Sequence, residues 1–434
     1  MPFQKIPDLA IEYALIHFDD RGRERTDDPE GGVFSRTLLE KARREKPSHV
    51  FLFSHGWKGD MPSAVEQYNR WIGAMWKLEA DRAAMGPEFR PMFIGLHWPS
   101  LPWGEESFGA GAASFGTAGA PAIDTLLEAA VKHFGGSDEV RRPLEVIFRA
   151  FESDPAARVL SDEVVAAYGR LAEAIGFSAG EGGDAPPDRD GAPLDPQAAI
   201  RAERMASAGE AFGIFGTIKN GVLAGLRQTS FWLMKHRART VGEQGMHTFV
   251  SDLQRACDTN VHLMGHSFGC IVVSSILGGP GGNGTLTRPV NSAVLVQGAM
   301  SLWSYAEDIP DSDKPGYFRR LIGKPAVSGP IVATQSVNDR AVGFAFPAAV
   351  GLVNEVDFAA SLPKFGGIGT WGIQGTTLAE SKDMLDERGD YQFKPGRIYN
   401  LNGSRFIPDH SGIDGPQVAH TLWQAVGAAR GQRV

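Results

Sequence analysis

The chain reads as an α/β protein: a mostly parallel sheet with helices on both faces and a long helical insertion. Three observations predict this class. Six short apolar runs are rich in β-branched and aromatic residues and have polar or Gly-rich flanks, the pattern of strands buried on both faces. Helical periodicities lie between them, so successive strands require crossover connections and a parallel sheet. From about 104 to 241 the alternation stops, and helical segments occur with no convincing strand.

Taken in order, residues 11–18 alternate apolar and polar side chains and are expected at a sheet edge. The buried runs follow at 50–53, 92–96, 261–264, 293–296, 331–334 and 397–401. After the first of them, Val65, Tyr68, Ile72, Met75 and Glu79 keep the 3.6-residue period, with Asp60 as the expected N-cap and Pro62 in the first turn. Met246, Phe249, Val250 and Leu253 form a second apolar stripe ahead of the run at 261, and 418–426 patterns as a closing helix. Within the insertion, 126–134, 144–151 and 164–177 are helical. Residues 178–196 hold four prolines, four glycines and many acids, too little apolar area to fold, and are expected to be a mobile loop. The expected organisation is therefore a core of 1–103 and 242–434, with a lid or cap at 104–241.

Composition narrows the function. The 434 residues include 43 basic and 51 acidic side chains, a formal net charge of −8, with no block of Lys and Arg. Nucleic acid and anionic membrane are poor partners for such a surface, because both need clustered positive charge. Cys257 and Cys270 belong to no CxxC or Cys/His cluster, so neither a disulfide framework nor a zinc site is expected. The N-terminus lacks the basic start and apolar run of a signal peptide, and the most apolar later stretch, 212–234, is broken by Lys219, Asn220 and Arg227. The expectation is a soluble, cytoplasmic protein without stable membrane insertion. Nothing in the sequence reports an oligomeric state.

The most informative segment is 261–277, which runs from an apolar strand through Gly265-His266-Ser267-Phe268-Gly269 into an apolar helix. This is G-x-S-x-G in the setting that gives the motif meaning, and the flanks argue against a chance match in a chain with 53 glycines. A sharp strand-to-helix turn forces the serine into strained backbone angles. Side chains two positions to either side would collide with the neighbouring strand or helix. The turn lifts the Ser267 hydroxyl out of the sheet and sets it at a helix N-terminus, where developing negative charge is favoured. Ser274 and Ser275, further along, read as buried helix serines.

This segment resembles the nucleophile elbow of the α/β-hydrolase superfamily, and the likeness extends over about 1–103 and 242–434. The G-H-S-x-G form is specific for that fold and common to many activities. The resemblance implies an oxyanion hole in which Phe268, just after the nucleophile, supplies one backbone N–H. Residues 51–59, ending in His55-Gly56-Trp57-Lys58-Gly59, look like the family's HG-x loop, and by that match Trp57 supplies the second. His55 then supports the loop by hydrogen bonding rather than acting as a base.

A serine hydroxyl needs an imidazole to take its proton and a carboxylate to fix the tautomer. The family's chain order is Ser, acid, His. Asp339, just past the run at 331–334, looks like the acid; its competing roles are to neutralise Arg340 or cap a following helix, and Glu307, Asp308 and Asp357 are weaker by position. His410, in a loop after 397–401, is the expected base, with His420 its rival. Substrate would lie beyond the carboxyl ends of the strands, under the insertion. Trp98, Trp103 and His266 are the candidate substrate-binding residues, although His266 reads more as a packing or supporting residue than a catalyst. Phe212, Phe215, Phe231 and Trp232 either line an acyl or alcohol pocket or pack the insertion's own core. No cofactor is called for, and no ligand spacing for a metal occurs.

The expected activity is cleavage of carboxylic esters of small molecules through an acyl-enzyme. Alternatives are an amidase, peptidase or lipase on the same three residues, or a binding protein that keeps the fold without turnover.

Overall fold

The structure, a computed structural model, describes residues 2–26, 33–56, 60–101, 123–154, 157, 159–176, 196–197, 200, 223–310, 312, 314–323, 326–339, 342, 362–363 and 365–429. Trp57, Trp103, Phe212, Phe215, Asp357 and all but Pro196 of the expected loop at 178–196 lie outside the described residues.

Nine strands form one sheet: β1 Phe3–Lys5, β2 Glu12–His17, β3 His49–Ser54, β4 Pro91–His97, β5 Asn260–His266, β6 Ser292–Val296, β7 Ile331–Gln335, β8 Ala379–Asp383 and β9 Ile398–Asn402. Their spatial order is β1-β2-β4-β3-β5-β6-β7-β9-β8. Every neighbouring pair is parallel except β1 with β2. All six buried runs form central strands. Two strands were not expected. β1 is three residues long, and by pairing with β2 it moves the 12–17 strand in from the edge where its alternation had suggested it lies. β8 reads Ala-Glu-Ser-Lys-Asp, without an apolar run, and closes the opposite edge against β9. Such charged edges discourage further strand addition.

Register explains why one end of the sheet collects the interesting side chains. Ser54 lies beside Gly265, His266 beside Val296, and Gln335 beside Asn402. The segments that follow β3, β5, β6, β7 and β9 therefore all leave from the same rim.

The helices pack as the periodicity implies. Asp60 accepts the Ser63 N–H at 2.8 Å, and Pro62 sits in the first turn of helix Met61–Lys77. That helix ends before Glu79, which opens the short helix Glu79–Ala84. Tyr68, Trp71, Ile72 and Met75 join Leu422, Trp423 and Val426 of helix Pro416–Ala428 over Phe51, Phe53, Met264, Val294 and Val332 of the sheet. Trp423 satisfies its indole N–H on the Met75 carbonyl at 2.9 Å, as a buried tryptophan must. The apolar helix Gly269–Gly278 is buried along its whole length and contacts β5 and β6. A five-residue π-helical turn, Gly242–Met246, runs directly into helix His247–Ala256 and packs against helix Gly269–Gly278, where Gly242 meets Val272 and Ser275.

The chain divides into two compact units, Met1–Ser100 with Arg237–Gly343 and Gly366–Val434, and Leu101–His236 with Phe344–Phe365. The sheet belongs to the first. In the second, helices Asp138–Ser153 and Ile123–His133 pack together, and Asp162–Ala174 packs on the former. Ser137 and Ser161 cap two of them. Phe231 and Trp232 are buried edge to face, 5.5 Å between ring centroids. Among the described residues no helix is long and apolar enough to cross a membrane.

His420, the rival base, is committed elsewhere. It is buried in helix Pro416–Ala428, with Nδ1 2.8 Å from Asp81 Oδ2 and Nε2 2.6 Å from the Gly389 carbonyl. Both neighbours only accept, so both ring nitrogens donate and the ring is held as imidazolium. Burial alone would lower its pKa, but the Asp81 hydrogen bond, the Gly389 carbonyl and the acidic charges outweigh burial and raise it. An unfolded histidine titrates near about 6.5, so this contribution to stability is complete below that pH and fades as pH rises through the higher folded value. The unfolding free energy of His420→Gln, read from urea melts across pH, should fall furthest below wild type in mild acid, by an amount on the order of 3 kcal/mol. The gap should narrow as pH increases; a gap constant with pH would contradict the imidazolium assignment.

Candidate active site

β5 ends at His266, and the chain turns at once into helix Gly269–Gly278. Ser267 stands at this turn with φ +57°, left-handed backbone that an L-residue adopts only at a cost. Its N–H bonds the Val296 carbonyl and its carbonyl accepts from Ala299, so β6 and the segment just after it hold the strained residue from both sides. A Cβ on Gly265 would lie 2.4 Å from the Gly269 carbonyl oxygen, and one on Gly269 would lie 2.3 Å from that of Ser54. Neither position can accept a side chain without moving backbone.

The Ser267 Oγ is 2.8 Å from His410 Nε2, and His410 Nδ1 is 2.9 Å from Asp339 Oδ2. Because Nδ1 faces a carboxylate it carries the proton, which leaves Nε2 to accept from the serine hydroxyl. Ser267 and Asp339 are buried, and the His410 side chain is 20% exposed. Residues 143 and 71 positions apart in the chain thus meet at one rim of the sheet.

Asp339 has no access to solvent, so its charge must be met by donors. His410 and the Gln297 amide both reach Oδ2, the latter at 2.9 Å, while Oδ1 accepts the Val342 N–H at 3.0 Å. Asp339 thus holds the backbone three residues on with one oxygen and faces the histidine with the other. Burial pushes the carboxyl pKa up, but the His410 charge and the hydrogen bonds from His410, Val342 and Gln297 outweigh it and hold the group below the ordinary carboxylate value.

The loops that carry Asp339 and His410 are also tied to each other. Ser336 Oγ and Asn338 Nδ2 donate to the Ile407 carbonyl, Asn338 Nδ2 also donates to that of Ser404, and the Val337 N–H bonds Ser404 Oγ. The spacing of Asp339 and His410 is therefore set by a shared lattice of bonds, not by either loop alone.

Two more histidines serve the site without facing the hydroxyl. His266 Nε2 donates to the His410 carbonyl at 2.9 Å, and its Nδ1 accepts from Gln67 at 3.0 Å. It clamps the backbone of the loop that carries His410. His55 Nδ1 donates to the Gly56 carbonyl at 2.8 Å while its Nε2 accepts the Trp98 N–H at 3.3 Å. Burial pushes both rings down to about 3, helped at His55 by His97 and at His266 by His410, so both are neutral. Trp98 is fully buried and stacks on His55 with centroids 5.5 Å apart and planes 6° apart. It forms no exposed wall for a substrate, because its ring and both its N–H groups are used to hold the His55 segment.

Gly56 lies against the serine. A Cβ there would lie 2.5 Å from Ser267 Cβ and 3.2 Å from Oγ, so the segment after β3 approaches the hydroxyl as closely as bare backbone allows. Phe268, fully buried, places its backbone at the N-terminal end of helix Gly269–Gly278. Trp57 and Trp103 are outside the described residues. Among the described residues no group of three or more His, Cys, Asp or Glu side chains has the arrangement to hold a metal ion.

Gln297, Gln67, Thr334, Ser336 and Asn338 were not singled out from the sequence. The available signal was positional: Gln297 is the first residue after a buried strand, at the rim where Ser267 and Asp339 stand. No protein-family model, curated protein or solved structure matches the chain.

The glycine geometry yields a direct contrast within one helix and the turn before it. Gly265→Ala and Gly269→Ala should each destabilise by about 1–3 kcal/mol or more, since the added methyl meets backbone. Gly278→Ala, where nothing lies within 4 Å, should be neutral or stabilise by up to about 1 kcal/mol. Urea midpoints of the three variants check this.

Proposed function

We propose that this protein is a serine hydrolase of α/β-hydrolase type that cleaves carboxylic esters through an acyl-enzyme. The observation that carries the reading is the continuous line of hydrogen bonds from the Ser267 hydroxyl through His410 to Asp339, with the serine in left-handed backbone at a strand-to-helix turn. The strand order and the segments leaving a single rim support the same reading.

Ser267 Oγ attacks the ester carbonyl carbon as its proton passes to His410 Nε2. The ring becomes imidazolium, and its Nδ1–H stays on Asp339, whose carboxylate stabilises the new charge without taking the proton. The carbonyl oxygen, now an oxyanion, is held by backbone N–H donors at the start of helix Gly269–Gly278 and in the segment after Gly56. Phe268 and Trp57 fill these two roles, and each donor is worth roughly 3 kcal/mol of barrier. His410 returns its proton to the departing alkoxide, and the alcohol leaves. Water then attacks the acyl-enzyme with His410 as base, the acid departs, and Ser267 recovers its proton.

Ser267→Ala should lose turnover of p-nitrophenyl esters by at least about 1000-fold and lose fluorophosphonate labelling, with its thermal midpoint near wild type. Asp339→Asn should keep the labelling site and lose turnover by a factor on the order of 1000 or more, since the amide no longer enforces the tautomer. Full activity in Ser267→Ala, or a wild type inert to activated esters and fluorophosphonates, rejects the proposal. Short-chain esters, long-chain esters and amides assayed together then assign the acyl and leaving groups.

A further inference from the structure

Gln297 is a buried polar side chain at this rim whose amide is spent on the acid and its surroundings. It directly follows β6 and is fully buried. Its backbone is left-handed, φ +47°, although the residue is not glycine. Strain of this kind persists only where the surroundings impose it.

Those surroundings also determine which way the amide points. The two atoms on one side of it, Asp339 Oδ2 at 2.9 Å and the Gly369 carbonyl at 3.1 Å, are both pure acceptors. The group facing them must be the NH2, which donates once to each. The other side, Oε1, accepts the Thr334 hydroxyl at 2.9 Å, and Thr334 Oγ1 in turn accepts the Gln297 backbone N–H at 3.0 Å. Thr334 therefore locks both the backbone and the amide, and a flipped amide would set oxygen against carboxylate.

The consequence falls on Asp339. Oδ2 meets two N–H donors, Gln297 and His410 Nδ1, and Oδ1 meets the Val342 N–H. A proton on either oxygen would point at a donor. The carboxylate is thereby kept ionised and kept from rotating, with Oδ2 aimed at the imidazole.

Resting on the hydrolase reading above, we propose that Gln297 is a positioning residue that fixes the orientation and ionised state of Asp339, and so sets the tautomer of His410. Its amide bonds go to Asp339, Gly369 and Thr334, not to the reacting hydroxyl.

The test uses the full chain with Gln297→Leu, Gln297→Glu and Thr334→Val, assayed on a p-nitrophenyl ester across pH. Gln297→Leu should lower kcat about 10- to 100-fold, since a buried carboxylate loses a donor, with KM within about twofold of wild type. Thr334→Val, which frees the amide to turn, should lower kcat in the same sense by less. Gln297→Glu separates positioning from mere packing. The titratable groups facing this position among the described residues are Asp339 directly and His410 beyond it, with Thr334 and the Gly369 carbonyl completing the contacts. While the introduced carboxyl is protonated it can donate to Oδ2 as the amide did. Once ionised it repels Asp339, and burial and the like charge move that ionisation upward, to between about pH 6 and 9. The variant should therefore be active in mild acid and lose kcat on the alkaline side, where wild type does not.

Wild-type kcat in Gln297→Leu, or a wild-type pH profile in Gln297→Glu, overturns the inference while leaving the hydrolase reading standing. Absence of Ser267-dependent turnover in the wild type overturns both. Should Gln297→Leu fail to fold, the Gln297→Glu profile and the Thr334→Val rate decide between the same two outcomes.

Discussion

A serine in left-handed backbone at the end of a buried strand is costly, and much of the rim is built to keep Ser267 there. The turn needs Gly265 because the backbone at Gly269 returns to within 2.4 Å of where its Cβ would stand, and Gly269 because the Ser54 carbonyl oxygen at the end of β3 lies 2.3 Å from where its own would stand. It needs Gly56 because the segment after β3 presses on the serine itself. It needs β6 in register beside β5, since Val296 and Ala299 supply the backbone partners of residue 267. Removing any one of these leaves the hydroxyl with an easier place to go. In the proposed reaction the return on that strain is a hydroxyl that stands clear of the sheet and already meets its base.

The second constraint is a buried negative charge. An isolated carboxylate in the interior is expensive, and Asp339 has no exposure at all. The donors from Gln297, Val342 and His410 are thus part of what lets the loop after β7 close over the acid. They also fix its geometry, because a carboxylate surrounded by donors has one low-energy orientation. Stability and the proposed function depend here on the same bonds. The links from Ser336 and Asn338 to the Ile407 and Ser404 carbonyls extend this order to the loop that carries His410.

How much of this was legible in the sequence depended on whether a residue's type was dictated locally. Gly265, Ser267 and Gly269 stood out because a tight turn restricts residue type within five positions. The six central strands stood out because burial on both faces demands continuous apolar runs. β8 did not, since an edge strand needs only backbone pairing, and Ala-Glu-Ser-Lys-Asp carries no sign of it. Alternation over 11–18 reads as an edge strand, but Phe3–Lys5, three residues and too short to leave a pattern, pairs outside it. Trp98 looked like a pocket wall because a tryptophan after a strand at the active rim often is one. Its stacking on His55 arises from the pairing of β3 with β4, a relation the linear order does not display. Gln297 is the extreme case: its partners lie 37, 42 and 72 positions away, and nothing local requires a glutamine.

Three imidazoles stand close to Ser267, and the structure treats them unequally. His55 and His266 each give one N–H to a backbone carbonyl and accept one hydrogen bond at the other nitrogen, so each is complete as a neutral ring. Protonating either would bury a charge, the main cause of their depressed pKa values, and would also set an N–H against another donor inside the protein. His410 differs in having a carboxylate behind it and a hydroxyl, able to give or accept, in front. In the proposed reaction the positive charge forms on His410, and neutral neighbours add no repulsion to it. Surrounding one base with histidines would blur the site if all could titrate; fixing two of them as neutral supports leaves a single place for the proton of Ser267 to go.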